Sequence, residues 1–114
     1  MTDDEVYLRH ILESLERIEA YTAGGREDFM HSSMAQDATV RNLEVVGEAT
    51  KSLSPEIRSA HPEIPWRNMA RTRDALIHDY MGVDLEIVWE EVENRLRPLR
   101  DHHSTLLEPD DIDR

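Results

Sequence analysis

The chain contains no cysteine. That excludes disulfides and thiolate metal ligands, and it fits a reducing cytoplasm. Aromatic residues make up only 5% of the 114 positions, so a core must rest mainly on Leu, Ile, Val, Met and Ala. No apolar run approaches the ~18 residues of a membrane span. The start, Met1-Thr2-Asp3-Asp4-Glu5, is acidic and unlike a secretory signal. Strand-like alternation, internal repeats, low-complexity tracts and Gly-rich phosphate loops are all missing. Lysine is nearly so: among 13 basic residues Lys51 is the only one.

What is present suits a small helical protein. Hydrophobic residues are 39% and charged residues 33% of the chain, a balance expected of one domain with a large surface for its volume. The net charge of −12 argues against broad, charge-driven binding of nucleic acid. The charge is uneven, however. Residues 67–73 hold Arg67, Arg71 and Arg73 with no acid, and Arg95, Arg97 and Arg100 form a second basic group. Arginine bias fits phosphate chemistry; genome composition is the plainer explanation.

Taken in order, Thr2 with Glu5 forms a capping box for a first helix carrying Leu8, Ile11, Leu12, Leu15 and Ile18. Gly24-Gly25 ends it. A short helix fits Arg26 to Ser33, with Ser32-Ser33 as a break or cap. A second long helix is predicted from Gln36 to Leu53, with Val40, Leu43, Val46 and Ala49 on one stripe. Ser54-Pro55 opens a short turn of helix through Ala60. Pro62 and Pro65 make a loop, and Trp66 starts a helix reaching His78 or Tyr80. Asp84 caps the next helix, whose stripe is Leu85, Val88, Trp89, Val92 and Leu96. Pro98 kinks or splits it, and residues 108–114 read as a charged, disordered tail. The expected fold is all-α: an up-and-down bundle of four to five helices over residues 1–107, with a short extra helix.

The run Trp66 to Tyr80 concentrates the chemistry. Residues four apart on a helix lie within roughly 40° and residues seven apart within roughly 20°. Arg67, Arg71, Asp74 and His78 therefore follow one face, and Arg73 and Tyr80 share another. A carboxylate at Asp74 can hydrogen-bond the His78 ring and fix its tautomer. Arg73 and His78 are about 140° apart on a straight helix. For both to act on one atom, Arg73 must wrap round, the helix must loosen, or a second subunit must contribute. Arginine suits phosphate and histidine moves protons near neutrality, which together suffice for metal-free RNA cleavage. The competing reading is structural: a buried Asp74–His78 pair, a core Tyr80, and arginines in surface ion pairs.

The stretch Arg73-Asp74-Ala75-Leu76-Ile77-His78-Asp79-Tyr80 resembles the Arg-x4–6-His-x-Tyr motif of HepT-like toxins in the HEPN superfamily, with Arg71 satisfying the longer spacing. Asp74 matches the polar residue these proteins commonly place after the arginine. Leu43-Glu44-Val45-Val46-Gly47-Glu48-Ala49, Ile64-Pro65-Trp66-Arg67 and His78-Asp79-Tyr80-Met81-Gly82-Val83-Asp84 extend the likeness over most of residues 4–107.

The resemblance implies a helical-bundle homodimer with both motifs facing one cleft, acting on RNA (tRNA or mRNA) as a metal-independent ribonuclease toxin without a cofactor. Arg73 and His78 would be catalytic, with Asp74 and Arg71 in support. It also implies a partner: an MntA-like minimal nucleotidyltransferase antitoxin that transfers AMP from ATP onto the motif tyrosine, here Tyr80. The net charge of −12 departs from what an RNA enzyme wants, unless an arginine-lined cleft focuses a local positive field. Two alternatives therefore stand beside the enzyme. One is a non-catalytic HEPN adaptor that binds a nucleotidyltransferase or a nucleotide; the other is a plain bundle. No histidine pair has the i, i+4 spacing of a helical metal site. Glu90, Glu91 and Glu93 read as a solvated face, and Trp66 and Trp89 as core or dimer-interface residues.

Overall fold

The computed structural model describes residues 3–71 and 84–96. Every regular element among them is helical. Helix α1 (Asp3–Tyr21) carries three acids in its first turn, where the partial positive charge of the free N–H groups favours them. Its Leu8, Ile11, Leu15 and Ile18 recur at spacings of three and four, so they form one buried stripe. The Thr22 backbone N–H and hydroxyl both donate to the Ile18 carbonyl, which closes the last turn. Gly25 follows with φ of 94°, a left-handed conformation that glycine adopts without steric cost.

Helix α2 (Arg26–Met30) is a single turn anchored by Phe29, which is 1% exposed. Helix α3 (Ser33–Ser52) begins three residues before the Gln36 start expected from periodicity. The reason is capping. Ser32 Oγ accepts from the Ala35 N–H, and the Gln36 amide turns back to donate to the carbonyls of Phe29 and Met30. Two buried polar side chains in α3 are satisfied within the helix, Asn42 donating to Ala38 O and Thr50 to Val46 O, whereas the buried Thr39 hydroxyl has no hydrogen-bond partner among the described residues.

Asp4, in the first turn of α1, hydrogen-bonds Ser54, just past the end of α3. The two long helices are therefore antiparallel, and their facing stripes build the core. Helix α4 (Pro55–Ala60) has Ser54 as N-cap and proline at its first position, as the sequence predicts. Residues 66–71 are the described part of α5. Helix α6 (Leu85–Glu91) is capped by Asp84 Oδ1, which accepts from the N–H groups of Glu86 and Ile87.

Past α6 the backbone widens into a π-helical turn, Val92–Leu96. Val88, Val92 and Leu96 close the core against α1 and α3. Trp89 packs its ring 5.5 Å from that of Phe29, and the exposed Arg26–Glu86 ion pair joins the starts of α2 and α6. Each buried aliphatic or aromatic side chain contributes about 1.5–3 kcal/mol relative to exposure. Glu90 and Glu93 are exposed as expected, but Glu91 is half-buried, because it lies three residues after Val88 and so beside the apolar stripe. The Thr2 capping box, the Pro98 kink and the tail at 108–114 lie outside the described residues.

Candidate nucleic-acid interface

The arginine-rich run begins on a helix held firmly from within. The Pro65 carbonyl accepts the Met69 N–H at 3.0 Å, the first bond of α5. Proline has no N–H to leave unpaired at this position. Trp66 and Met69 point inward and are 8% and 1% exposed. The Trp66 indole N–H is shared between two carbonyls, Arg58 O at 3.1 Å and His61 O at 2.9 Å. One side chain therefore ties α5 to the end of α4 and to the intervening loop. The sequence reading of Trp66 as a core residue holds; its indole hydrogen bonds could not be read from spacing.

The outer face of the same turn is polar. Arg67, Asn68 and Arg71 are all exposed. Neither arginine forms an ion pair with a described residue, in contrast to Arg26, Arg41 and His61. Glu63, four residues before Arg67, contacts the His61 ring at 3.5 Å. The surface ion pairs expected of these arginines are not formed by Arg67 or Arg71 with any described residue; Asp74, three residues after Arg71, lies outside the described residues. Arg71 is the one sequence-predicted site residue that the structure places, at the outer end of the described turn. Arg73, Asp74, His78 and Tyr80 lie outside the described residues.

A cleft of about 370 Å³ lies elsewhere, between α1 and α3, lined by Tyr7, His10, Arg41, Glu44, Glu48 and Ser52. Its mixture of two carboxylates, one arginine and a histidine among the described residues does not match the fixed cationic surface that a phosphate backbone requires. Among the described residues no three His, Asp or Glu side chains cluster to hold a metal ion. No described helix is long and apolar enough to cross a membrane. Two hydrogen bonds from Ser54, the hydroxyl first and the backbone N–H second, hold the Asp4 carboxyl below the ordinary aspartate range, against a smaller opposing effect of burial.

Comparison with known proteins finds relatives over most of the chain. A protein of Methanocaldococcus jannaschii named "Gamma-glutamylcyclotransferase and putative RNase" is 44% identical over 107 residues, which are 93% of this chain and 48% of that protein. "Probable ribonuclease HepT" of Thermococcus cleftensis is 44% identical over 95 residues, 82% of this chain and 86% of the relative. The chain thus spans about half the length of the first and most of the second. No solved structure matches it. The family model described as "Ribonuclease HepT-like" matches residues 11–106, a range that takes in the helix opened by Trp66 and the whole Arg73–Tyr80 motif. By that match and by these identities, the chain belongs to the ribonuclease HepT-like family of the HEPN superfamily.

Proposed function

We propose that this protein is a metal-independent endoribonuclease toxin of a HepT/MntA-type pair, cutting RNA at a cleft shared by two subunits. The 2′-hydroxyl of the substrate attacks the adjacent phosphate. Its proton passes to His78, and the imidazolium so formed gives a proton to the 5′-oxygen, which leaves as a hydroxyl. Arg73 neutralises the charge that builds on the phosphate oxygens. Asp74 orients the His78 ring, and Arg71 contacts a neighbouring phosphate. AMP carried on Tyr80 would set a charged, bulky group two residues from His78 and so exclude RNA. The observation that carries this reading is the placement of Arg71. It is an exposed cation with no ion-pair partner among the described residues, two positions before Arg73 in sequence, on a helix whose inner face is fixed by Trp66 and Met69.

A net charge of −12 favours a second reading, the non-catalytic HEPN adaptor that binds a minimal nucleotidyltransferase or a nucleotide. One experiment separates the two. Unmodified protein is incubated with tRNA and mRNA in excess EDTA, beside folded Arg73→Ala and His78→Ala variants. Cleavage by the parent alone, leaving 2′,3′-cyclic phosphate ends, is the expected result. No cleavage by a parent whose intact mass excludes an adduct on Tyr80 would sink the enzyme and leave the adaptor.

A further inference from the structure

The turn that precedes the motif carries a feature that catalysis by Arg73 and His78 does not use. Arg67 and Arg71 are exposed, one helical turn apart, and unpaired with any described residue, in a chain with 25 acidic residues. Two like charges at this spacing repel and disfavour the helix. The usual remedy, an acid four residues away, is missing after Arg71 and faces another partner before Arg67. Position 63 holds a glutamate, but its carboxylate contacts His61. Position 75 is alanine. The backbone beneath the pair is fixed by the Trp66 indole bonds and by buried Met69, so two guanidinium groups project from a rigid base.

We infer that Arg67 and Arg71 form a two-cation rail for the single strand that flanks the cleavage point. Arg71 takes one phosphate, and Arg67 takes the next one away from the motif. The inference rests on the ribonuclease reading and assigns a role to Arg67 beyond it. Four residues of helix advance about 6 Å with only about 40° of rotation, a separation comparable with that of successive phosphates along an extended strand. The planar guanidinium fork matches phosphate oxygens, and neither arginine has an ion pair with a described residue to break before binding. The rail also explains how a chain of net charge −12 can take up RNA: the cations that count are collected on one turn without acids among them.

The test measures binding of a fluorescein-labelled single-stranded RNA, 2′-O-methylated so that it cannot be cut, by anisotropy over a series of salt concentrations. Each phosphate contact adds about 0.7 to the slope of log affinity against log salt for a single strand. Arg67→Gln should lower that slope by about 0.7, and Arg67→Lys, which keeps the charge, should restore it. Arg41→Gln, an exposed arginine on α3, should leave it unchanged. On cleavable RNA, Arg67→Gln should raise KM and spare kcat. A parent that binds and cuts RNA while Arg67→Gln keeps the parental slope overturns the rail alone. A parent that neither binds nor cuts overturns the rail together with the ribonuclease reading. Binding without cleavage sinks the ribonuclease but leaves the slope to decide the rail.

Discussion

Asp4 and Ser54, fifty residues apart in sequence, share two hydrogen bonds: the Ser54 N–H donates to Asp4 Oδ1 at 2.9 Å and the Ser54 hydroxyl to Oδ2 at 2.6 Å. The same hydroxyl accepts from the Ile57 N–H and so caps α4. One carboxylate thus fastens the start of α1 to the joint between α3 and α4, from which the chain runs on to Trp66. Charge-assisted bonds of this kind contribute about 1.5–3 kcal/mol when well shielded, and partial exposure reduces that here.

Asp4→Asn should therefore lower stability by about 1–2 kcal/mol at neutral pH. The pH dependence follows from the sign of the shift. The folded-state pKa lies below the unfolded one, so the stabilisation is complete above the unfolded value and is lost as pH falls through the folded value. Urea unfolding of the parent and the variant at pH 7, 5 and 3 should show a constant gap at the first two and a narrower one at the third. A gap that stays constant through pH 3 would mean that the charge on Asp4 contributes nothing.

Trp66→Phe isolates the clamp on α5. The ring still fills the core, but the indole donor to Arg58 O and His61 O is lost. Both carbonyls keep a backbone partner, from the N–H groups of His61 and Ile64 respectively, so neither is left bare. The expected loss is about 1–2 kcal/mol. Cleavage should also fall at temperatures where the variant is fully folded, because the turn carrying Arg67 and Arg71 loses its fixed base. Full activity with reduced stability would show that the clamp serves the fold alone.

These two contacts mark where sequence reading stops. Helix α4 was legible because Ser54-Pro55 is a local signal, and Asp84 announced α6 for the same reason. The inward faces of α1 and α3 were legible because spacings of three and four leave little choice of buried side. The true start of α3 was not. Its first turn carries Met34, 81% exposed, so no apolar period reaches back to Ser33. The Asp4–Ser54 and Trp66–Arg58 bonds join positions that no period links. At the candidate site, spacing correctly set Arg67 and Arg71 on one face. It could not say that both lack ion-pair partners among the described residues, which depends on where the acids fold.

Arg73→Lys asks whether the motif needs a charge or a fork. Lysine keeps the cation but presents a single ammonium where arginine can grip two oxygens in one plane. Removing a donor aimed at developing charge typically reduces turnover by about 10²–10³-fold. Arg73→Lys should fall within about tenfold of Arg73→Ala in single-turnover cleavage, both far below the parent. Recovery to near parental rate would reduce the role of Arg73 to general electrostatics.

Tyr80→Phe separates catalysis from regulation. If Tyr80 is the acceptor of AMP and takes no part in proton transfer, the phenylalanine variant should cleave RNA at close to the parental rate. Incubated with ATP and an MntA-like nucleotidyltransferase, the parent should gain the mass of one or more AMP groups and stop cutting. The variant should gain none and continue to cut. The hydroxyl is the only nucleophile removed, so a variant that is still modified and silenced would place the acceptor elsewhere in the chain. A variant that is inactive from the outset, yet folded by circular dichroism, would instead move the Tyr80 hydroxyl into the chemistry itself.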